Sequence, residues 1–277
     1  MASTGMLEFT ILGCGSSAGV PRADGNWGAC DPANPRNRRS RCSLMVRRLS
    51  EQGPESQTSL VVDAAPELRI QAVDANLKRL DALLLTHDHA DQCHGIDDIR
   101  GFALVQRQRI DCWMDGVTRA SLERRFGYIF HGEGGYPAIS QAHTTPDHSV
   151  AWTVDGPSGA IPISTFDQDH GGLRSLGYRF GNVAYSSDVV GLPEESFAAL
   201  QNLDVWIVDA LRYAPHPTHA HVDRALNWIE RVRPRRAILT NMHLDLDYAT
   251  LSESLPAGVE AAYDGLCFQV PLDRVTS

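Results

Sequence analysis

Short apolar runs separated by turn residues fill the first 90 positions of the chain, and this pattern is typical of β-strands. A loop rich in Gly, Pro and Asn occupies residues 21–41, because these residues favour turns over regular structure. Apolar residues at helical spacing predict a helix over 66–80, and the uninterrupted apolar run that follows it is typical of a buried strand. The predicted strands here are 7–13, 42–48, 59–64 and 81–87.

The second half of the chain first repeats this strand-rich style and then alternates strands with helices. Residues 258–270 read either as a strand pair or as one bent strand. Strand-rich runs followed by such alternation predict an α/β fold with two packed sheets and helices outside, an αββα four-layer sandwich. We expect one domain over residues 1–277. The strands predicted in this half are 149–156, 160–170, 175–181, 182–188, 204–211 and 236–243, and the helices are 193–203, 221–234 and 247–256.

Composition narrows the class of protein. Of the 277 residues, 43% are hydrophobic and 21% charged, which is enough for a substantial core. A net charge of -9 argues against coating a large nucleic acid, because phosphate binding needs clustered cations. The start of the chain does not have the pattern of a signal peptide, and no stretch reaches membrane-span length. Six scattered cysteines without CxxC pairs then indicate reduced thiols, so we expect a cytoplasmic protein with no membrane partner.

Histidines and acids collect where predicted strands end. His87 and His89 are two residues apart in extended backbone, so they point to one side and can bind one cation together. Asp91 follows His89 at the same two-residue spacing and supplies a hard oxygen donor for a divalent ion. A lone histidine after a strand is more often a hydrogen-bonding residue, but two histidines and an aspartate in phase favour a metal site.

The segment THDHADQ (86–92) resembles the HxHxDH signature of the metallo-β-lactamase superfamily, with its last histidine changed to Gln92. FDQDHG, AYSSDVVG and LTNMH follow in the order that this superfamily shows, and its fold is the sandwich inferred above. The resemblance implies two divalent ions, zinc or manganese, with Asp91 also part of the catalytic centre. It implies that His87, His89 and His170 hold the first ion, that Asp91, Gln92 and His243 hold the second, and that Asp188 bridges both.

Gln92 puts the second ion in question. An amide oxygen is a weaker ligand than an imidazole nitrogen, yet a feasible one. Three outcomes stay open: Gln92 ligates through oxygen, water takes its place, or the second position stays empty. Our hypothesis is that the second ion binds more weakly than the first. His94 is expected to support a ligand by a hydrogen bond.

Further motifs resemble the phosphodiesterase branch, in particular the PhnP-like group of phosphoribosyl cyclic phosphodiesterases, which is related to tRNase Z. These motifs are LGCGSSAGVP, VDAAPELRIQ and HGIDDIRG. The segment HPTHAHVDRAL implies a general acid at His219 or a phosphate donor, with His221 as the alternative. Ser16 lies among glycines that would let the backbone approach an anionic ligand.

The run PRNRRSR places four arginines in seven residues of the long loop. It is either a solvated face or a phosphate clamp, and Arg39 is our candidate for the clamp. PhnP-like proteins bind a structural zinc through a cysteine cluster in this loop. Only Cys30 is present here, so we expect no zinc there.

These observations predict a metal-dependent phosphodiesterase that hydrolyses a small phosphodiester, such as a cyclic ribose phosphate or a nucleotide-like diester, through metal-activated hydroxide. One alternative is tRNase Z-like RNA 3′-end processing, although no insertion resembling its exosite arm is visible. The other is a metal- or nucleotide-binding protein in which Gln92 impairs catalysis. Family members often pair, so a homodimer is left open.

Overall fold

The computed structural model describes residues 5–272, and its strands form two seven-stranded mixed sheets. In spatial order, the first sheet contains β14 (Cys267–Pro271), β1 (Met6–Gly13), β2 (Ser43–Arg48), β3 (Thr58–Val62), β4 (Ala82–Leu84), β5 (Ile110–Met114) and β6 (Ser140–Thr144). The second contains β13 (Val259–Ala261), β12 (Arg236–Thr240), β11 (Val205–Asp209), β10 (Val183–Ser186), β9 (Arg174–Phe180), β8 (Ile161–Asp169) and β7 (Trp152–Val154).

Seven helices lie along the chain between these strands. They are α1 (Leu68–Asp74), α2 (Ala90–Cys93), α3 (Arg100–Gln106), α4 (Gly116–His131), α5 (Glu194–Ala199), α6 (Val222–Val232) and α7 (Tyr248–Ser254). Short 3₁₀ turns cover Pro35–Asn37, Pro54–Ser56 and Ile96–Ile99. Among residues 5–272, no helix combines the length and apolarity that crossing a membrane requires.

The two sheets are built in the same way. From β1 to β6, and again from β8 to β13, two antiparallel pairings are followed by three parallel ones. Of the remaining strands, β14 pairs antiparallel with β1, and β7 pairs antiparallel with β8. Strands β1, β3 and β4 therefore end at one edge of the first sheet, and strands β8, β10, β11 and β12 end at one edge of the second. Loops after these strands can converge over a rigid base.

Apolar side chains fill two layers. The larger cluster joins the two sheets, extends to helices α5, α6 and α7, and contains fully buried aromatic residues such as Tyr178 and Trp206. Phe9 belongs to it and stacks on Phe268 with ring centroids 5.2 Å apart. The second cluster lies between the first sheet and the helices around α1, α3 and α4. The first sheet is therefore buried on both faces, and the fold is the predicted αββα sandwich.

Most predicted elements are present with shifted ends. The helix predicted over 66–80 is shorter, because it ends at Asp74 and Asn76 has a positive φ of 51°. Residues 258–270 form two strands that belong to different sheets, which a local pattern cannot show.

The pattern predicted no elements between residues 100 and 148, where the structure has α3, β5, α4 and β6. Helix α4 departs from helical geometry at Phe126 (φ -128°, ψ 33°). Its apolar residues include the exposed Val117 and Tyr128 as well as the buried Leu122 and Ile129, so they form no clear stripe along the sequence. All six cysteines are free thiols and five are buried, in agreement with the expected reduced state.

Gly177 offers a test of how closely β8 and β9 pack. It lies opposite Phe166 in the register, and a Cβ there would come within 2.1 Å of the Phe166 ring. We expect Gly177→Ala to lower the free energy of unfolding by about 1–3 kcal/mol, because an overpacked core must shift. Urea denaturation measures this loss.

Gly101→Ala is the matched control. A Cβ on Gly101, inside α3, meets nothing within 4 Å, so alanine should leave the free energy of unfolding unchanged or raise it by up to about 1 kcal/mol. Equal free energies for Gly177→Ala and the wild type would contradict the close packing described here.

Candidate metal centre

Three imidazoles from both sheets meet at one end of the sandwich. His87 and His89 follow β4, and His170 follows β8. Their ring centroids lie 4.5 to 5.1 Å apart, and one nitrogen of each ring lies within 4.8 Å of the other two. One tetrahedral zinc ion needs ligand nitrogens roughly 3.4 Å apart, given Zn–N bonds of 2.0–2.1 Å. Small side-chain movements would bring these three nitrogens to that spacing.

The ring of His87 is oriented by a hydroxyl. Thr86 Oγ1 lies 3.0 Å from His87 Nδ1 and 3.0 Å from both carboxylate oxygens of the buried Asp63. Since the hydroxyl donates to Asp63, it accepts from Nδ1, and His87 Nε2 keeps a lone pair. Among the described residues this buried Nε2 has no hydrogen-bond partner. Burial lowers the pKa of His87 to about 3, so the ring is a neutral ligand.

His170 is oriented by a backbone carbonyl. Its Nδ1 donates to Thr218 O at 2.8 Å, which leaves the lone pair on Nε2. That Nε2 lies 3.3 Å from His89 Nδ1 and 3.8 Å from Asp188 Oδ1. Burial lowers the pKa of His170 as well. Converging lone pairs and a neighbouring carboxylate are the donor set that a divalent cation requires, so these residues fit the first ion.

Asp188 follows β10 in a left-handed conformation, with φ 54°. Asp63 holds the corresponding place after β3 with φ 64°, and non-glycine residues in this region often mark functional sites. Asp188 Oδ2 accepts from Ser187 Oγ at 2.6 Å. Burial opposes its charge, yet the neighbouring imidazoles of His87, His219 and His170 outweigh burial and lower its pKa.

A pair formed by a histidine and an aspartate lies next to the three imidazoles. His219 Nδ1 lies 2.9 Å from Oδ2 of the fully buried Asp209 and 3.8 Å from Asp188 Oδ1. Burial opposes a charge on His219, but these two carboxylates raise its pKa to about 9. Burial raises the pKa of Asp209 to about 6. At a pH between these two pKa values, His219 is protonated and Asp209 is ionised, so the two form an ion pair. This pair places a proton donor beside the candidate cation site.

The residues expected to hold a second ion have other partners. Gln92 Nε2 donates to Asp188 Oδ2 at 3.0 Å and to Asp91 Oδ2 at 3.3 Å, so the amide nitrogen faces these carboxylates. Burial, followed by the charge of Asp188, raises the pKa of Asp91 to about 6. His243 Nε2 is bonded to Arg22 Nη2 at 2.9 Å. The donors of Gln92 and Arg22 therefore occupy Oδ2 of both carboxylates and Nε2 of His243, the atoms that a second cation in this position would use.

His221 and Ser16 lie at the margin of the cluster. His221 precedes α6, and its carbonyl accepts from Ala225 N at 3.0 Å. Of the two candidate acids, the contacts described above place His219 at the cluster. Ser16 is buried and its N–H donates to Met242 O at 3.2 Å, next to His243.

Arg39 is 2% exposed, and its guanidinium donates to Leu246 O at 2.6 Å and His243 O at 3.2 Å. It holds the backbone around His243, and such burial disagrees with a solvent-facing phosphate clamp. His94 is exposed and its ring meets Phe126 edge-on at 5.7 Å between centroids. It lies against the helical layer, so the expected hydrogen bond to a ligand is not what the structure shows.

Three contributors escaped the sequence patterns: the Asp63–Thr86 pair, Asp209 and Arg22. Both aspartates lie where a buried strand ends, in the matching segments VVDA (61–64) and IVDA (207–210). That repeated motif is the signal that could have indicated them. Arg22 carries no comparable signal, because its partner is 221 positions away.

Comparison with known proteins supports the fold described above. A family model described as a beta-lactamase superfamily domain matches residues 58–242. The structure of a diphosphatase from the PhnP family superposes with a TM-score of 0.83 at 30% identity, covering 96% of this chain and 97% of that one. Zn²⁺-bound PqqB from Methylobacterium extorquens gives a TM-score of 0.71 at 15% identity, covering 94% of this chain and 99% of that one. The short form of human tRNase Z gives a TM-score of 0.65 at 16% identity, covering 95% of this chain and 99% of that one. These last two likenesses show the fold alone.

Among curated proteins, an octanoyltransferase from Porphyromonas gingivalis is 27% identical over 265 residues, which are 94% of this chain and 51% of that protein. The chain therefore spans about half the length of this relative.

Thr86→Val tests whether the hydroxyl orients His87. Valine keeps the shape but removes the acceptor for His87 Nδ1, so we expect zinc affinity to fall about 10- to 100-fold. Competition with a chromophoric chelator measures the dissociation constant. Thr86→Ser retains the hydroxyl and should bind zinc like the wild type. Wild-type affinity in a folded Thr86→Val protein would show that the hydroxyl has no such role.

Proposed function

The chain belongs to the β-lactamase superfamily and, within it, to the PhnP family, and from this membership we propose that it is a metal-dependent phosphodiesterase. The fold and its hydrolase relatives make it a hydrolytic enzyme. The proposed substrate is a small phosphodiester, such as a cyclic ribose phosphate or a nucleotide-like diester.

His87, His89 and His170, with Asp188, would hold the cation, and we propose zinc or manganese. When bound, such an ion polarises a phosphoryl oxygen and activates water for attack on phosphorus. Two of the three imidazoles are held by hydrogen bonds through Nδ1, to Thr86 and to Thr218, so their Nε2 lone pairs are fixed before an ion arrives. Asp188 supplies negative charge that offsets the dication.

The observation that carries this proposal is the ion pair between His219 and Asp209 beside the three imidazoles. Asp209 fixes the ring through Nδ1 at 2.9 Å, so Nε2 is the nitrogen left to face a leaving group. A protonated imidazole can give its proton to a departing alkoxide, which is a poor leaving group without one. A cation site with an adjacent fixed acid is what phosphodiester hydrolysis requires.

The choice of a small substrate follows from charge and relationship. A net charge of -9 disfavours a folded RNA, whose binding depends on neutralising many phosphates. The relative at 30% identity is a diphosphatase, whereas tRNase Z resembles this chain at only 16%. We propose neither a large nucleic acid nor a membrane as partner, and a homodimer stays a prediction.

Hydrolysis of a diphosphate is the second candidate, favoured by the PhnP-family diphosphatase. The same site could attack a phosphoanhydride. A phosphate leaving group departs as an anion near neutral pH and needs less help from an acid, so dependence on His219 separates the two candidates.

His89→Ala should abolish hydrolysis of bis-p-nitrophenyl phosphate in the presence of added Mn²⁺ or Zn²⁺, because one cation ligand is lost. Release of p-nitrophenolate gives the rate directly. His148→Ala is the matched control, since this exposed histidine contacts Thr165 and lies outside the cluster. Full activity in metal-loaded His89→Ala would exclude the proposed site.

His219→Gln should affect substrates according to their leaving groups. With a nucleoside 2′,3′-cyclic phosphate we expect kcat to fall about 10²- to 10⁴-fold, the usual contribution of a general acid. With bis-p-nitrophenyl phosphate the loss should be far smaller, because p-nitrophenolate leaves unprotonated. Equal losses on both substrates would contradict the role as acid. Wild-type protein that cleaves ADP but neither diester would favour the diphosphate candidate.

A further inference from the structure

The position of the superfamily's second cation is filled by the chain's own donors. Of the groups expected there, the side chain of Gln92 turns its nitrogen toward the two carboxylates, and His243 is bonded to a guanidinium. In both places an N–H group donates a hydrogen bond to an atom whose lone pair a metal ion would need.

Gln92 is 0% exposed and bridges Asp91 and Asp188 through one nitrogen. The opposite orientation would press the amide oxygen against two carboxylate oxygens, whereas the nitrogen supplies a proton to each. Gln92 Oε1 is buried and has no partner among the described residues, so both contacts of this side chain are made by its nitrogen. Its backbone is also fixed, because Ala64 N donates to Gln92 O at 2.8 Å.

The contact between His243 and Arg22 defines a tautomer. A guanidinium can only donate, so His243 Nε2 is the acceptor and the ring proton lies on Nδ1. That Nδ1 is 3.1 Å from Asp245 Oδ2 but makes no hydrogen bond among the described residues, so the tautomer follows from Arg22 alone. The lone pair that would bind a second ion is therefore directed at Arg22.

Arg22 lies on a loop docked against the segment after His243. Its own N–H donates to Asn26 O at 3.0 Å, and Ala29 N donates to Leu244 O at 2.9 Å. Gly28 packs so closely that a Cβ there would lie 1.9 Å from Leu244 Cδ1. These contacts hold the loop in place, while the Arg22 side chain stays exposed with further N–H groups free to meet an anion.

We propose that this chain holds a single divalent ion at His87, His89 and His170, and that Gln92 and Arg22 replace the second. Gln92 keeps the carboxylates of Asp91 and Asp188 together, and Arg22 presents a fixed positive charge to a phosphoryl oxygen of the substrate. The role of Arg22 rests on the proposed function, whereas the ion count does not.

Metal stoichiometry tests the first half. Protein loaded with excess Zn²⁺ and desalted should contain one ion per chain by elemental analysis and native mass spectrometry. Arg22→Ala should also contain one, because Gln92 still bridges the carboxylates. The double variant Gln92→His, Arg22→Ala should contain two, since both lone pairs are restored. Two tightly held ions in the wild type, or one ion in a double variant with a native melting profile, would overturn the proposal.

Inorganic phosphate tests the second half. Calorimetry on the zinc-loaded protein should show about 10- to 100-fold weaker phosphate binding in Arg22→Ala, the effect of removing a charged hydrogen bond, and a smaller loss in Arg22→Lys. Arg109→Ala, at the opposite end of β5 from the site, should bind phosphate like the wild type. Unchanged affinity in Arg22→Ala would remove Arg22 from the site. A one-ion protein that cleaves no phosphodiester would disprove the proposed function and leave the ion count standing.

Discussion

The buried carboxylate of Asp188 is the constraint around which this end of the molecule is organised. It is 2% exposed, and an ionised carboxylate removed from water is tolerated only when its oxygens are fully engaged. One oxygen accepts from Ser187 and Gln92, and the other faces two imidazoles at 3.8 Å each. The same negative charge helps protonate His219 and prepares a place for a cation. Charge compensation thus links the acid to the metal position.

The packed sandwich stabilises this concentration of polar groups. The strands that carry the site end at sheet edges supported by apolar layers on both sides of the first sheet, so the loops beyond them start from fixed points. Hydrogen bonds behind the ligands then fix their orientation: Thr86 acts on His87, and the carbonyl of Thr218 acts on His170. Rings held in one tautomer lose little freedom when they bind an ion, which favours affinity.

Gln92 illustrates how one residue changes the electrostatics of an inherited site. An imidazole at this position would offer a lone pair, and the surrounding acids would then require a cation. The amide instead offers protons, and its two hydrogen bonds let Asp91 and Asp188 lie close together. Arg22 donates to His243 Nε2 and so occupies the lone pair of that ring nitrogen. A neutral amide donor can therefore bring two carboxylates together without a cation between them.

The sequence by itself determined the fold class, most strands, and the loops that carry His87, His89 and His170, because these depend on local periodicity and on motifs a few residues long. Resemblance to a family also made His219 a candidate, and the structure places its ring 4.8 Å from that of His170, centroid to centroid. The sequence pattern missed the elements between residues 100 and 148, among them α4, in which exposed apolar residues such as Val117 and Tyr128 obscure the buried face.

Only the tertiary structure decided which atoms face one another. The direction of the Gln92 amide depends on Asp188, 96 positions away, and the partner of His243 is 221 positions away. Such contacts leave no periodic trace in the chain, since a hydrogen-bond partner is selected by the packing of distant loops and not by the residues beside it.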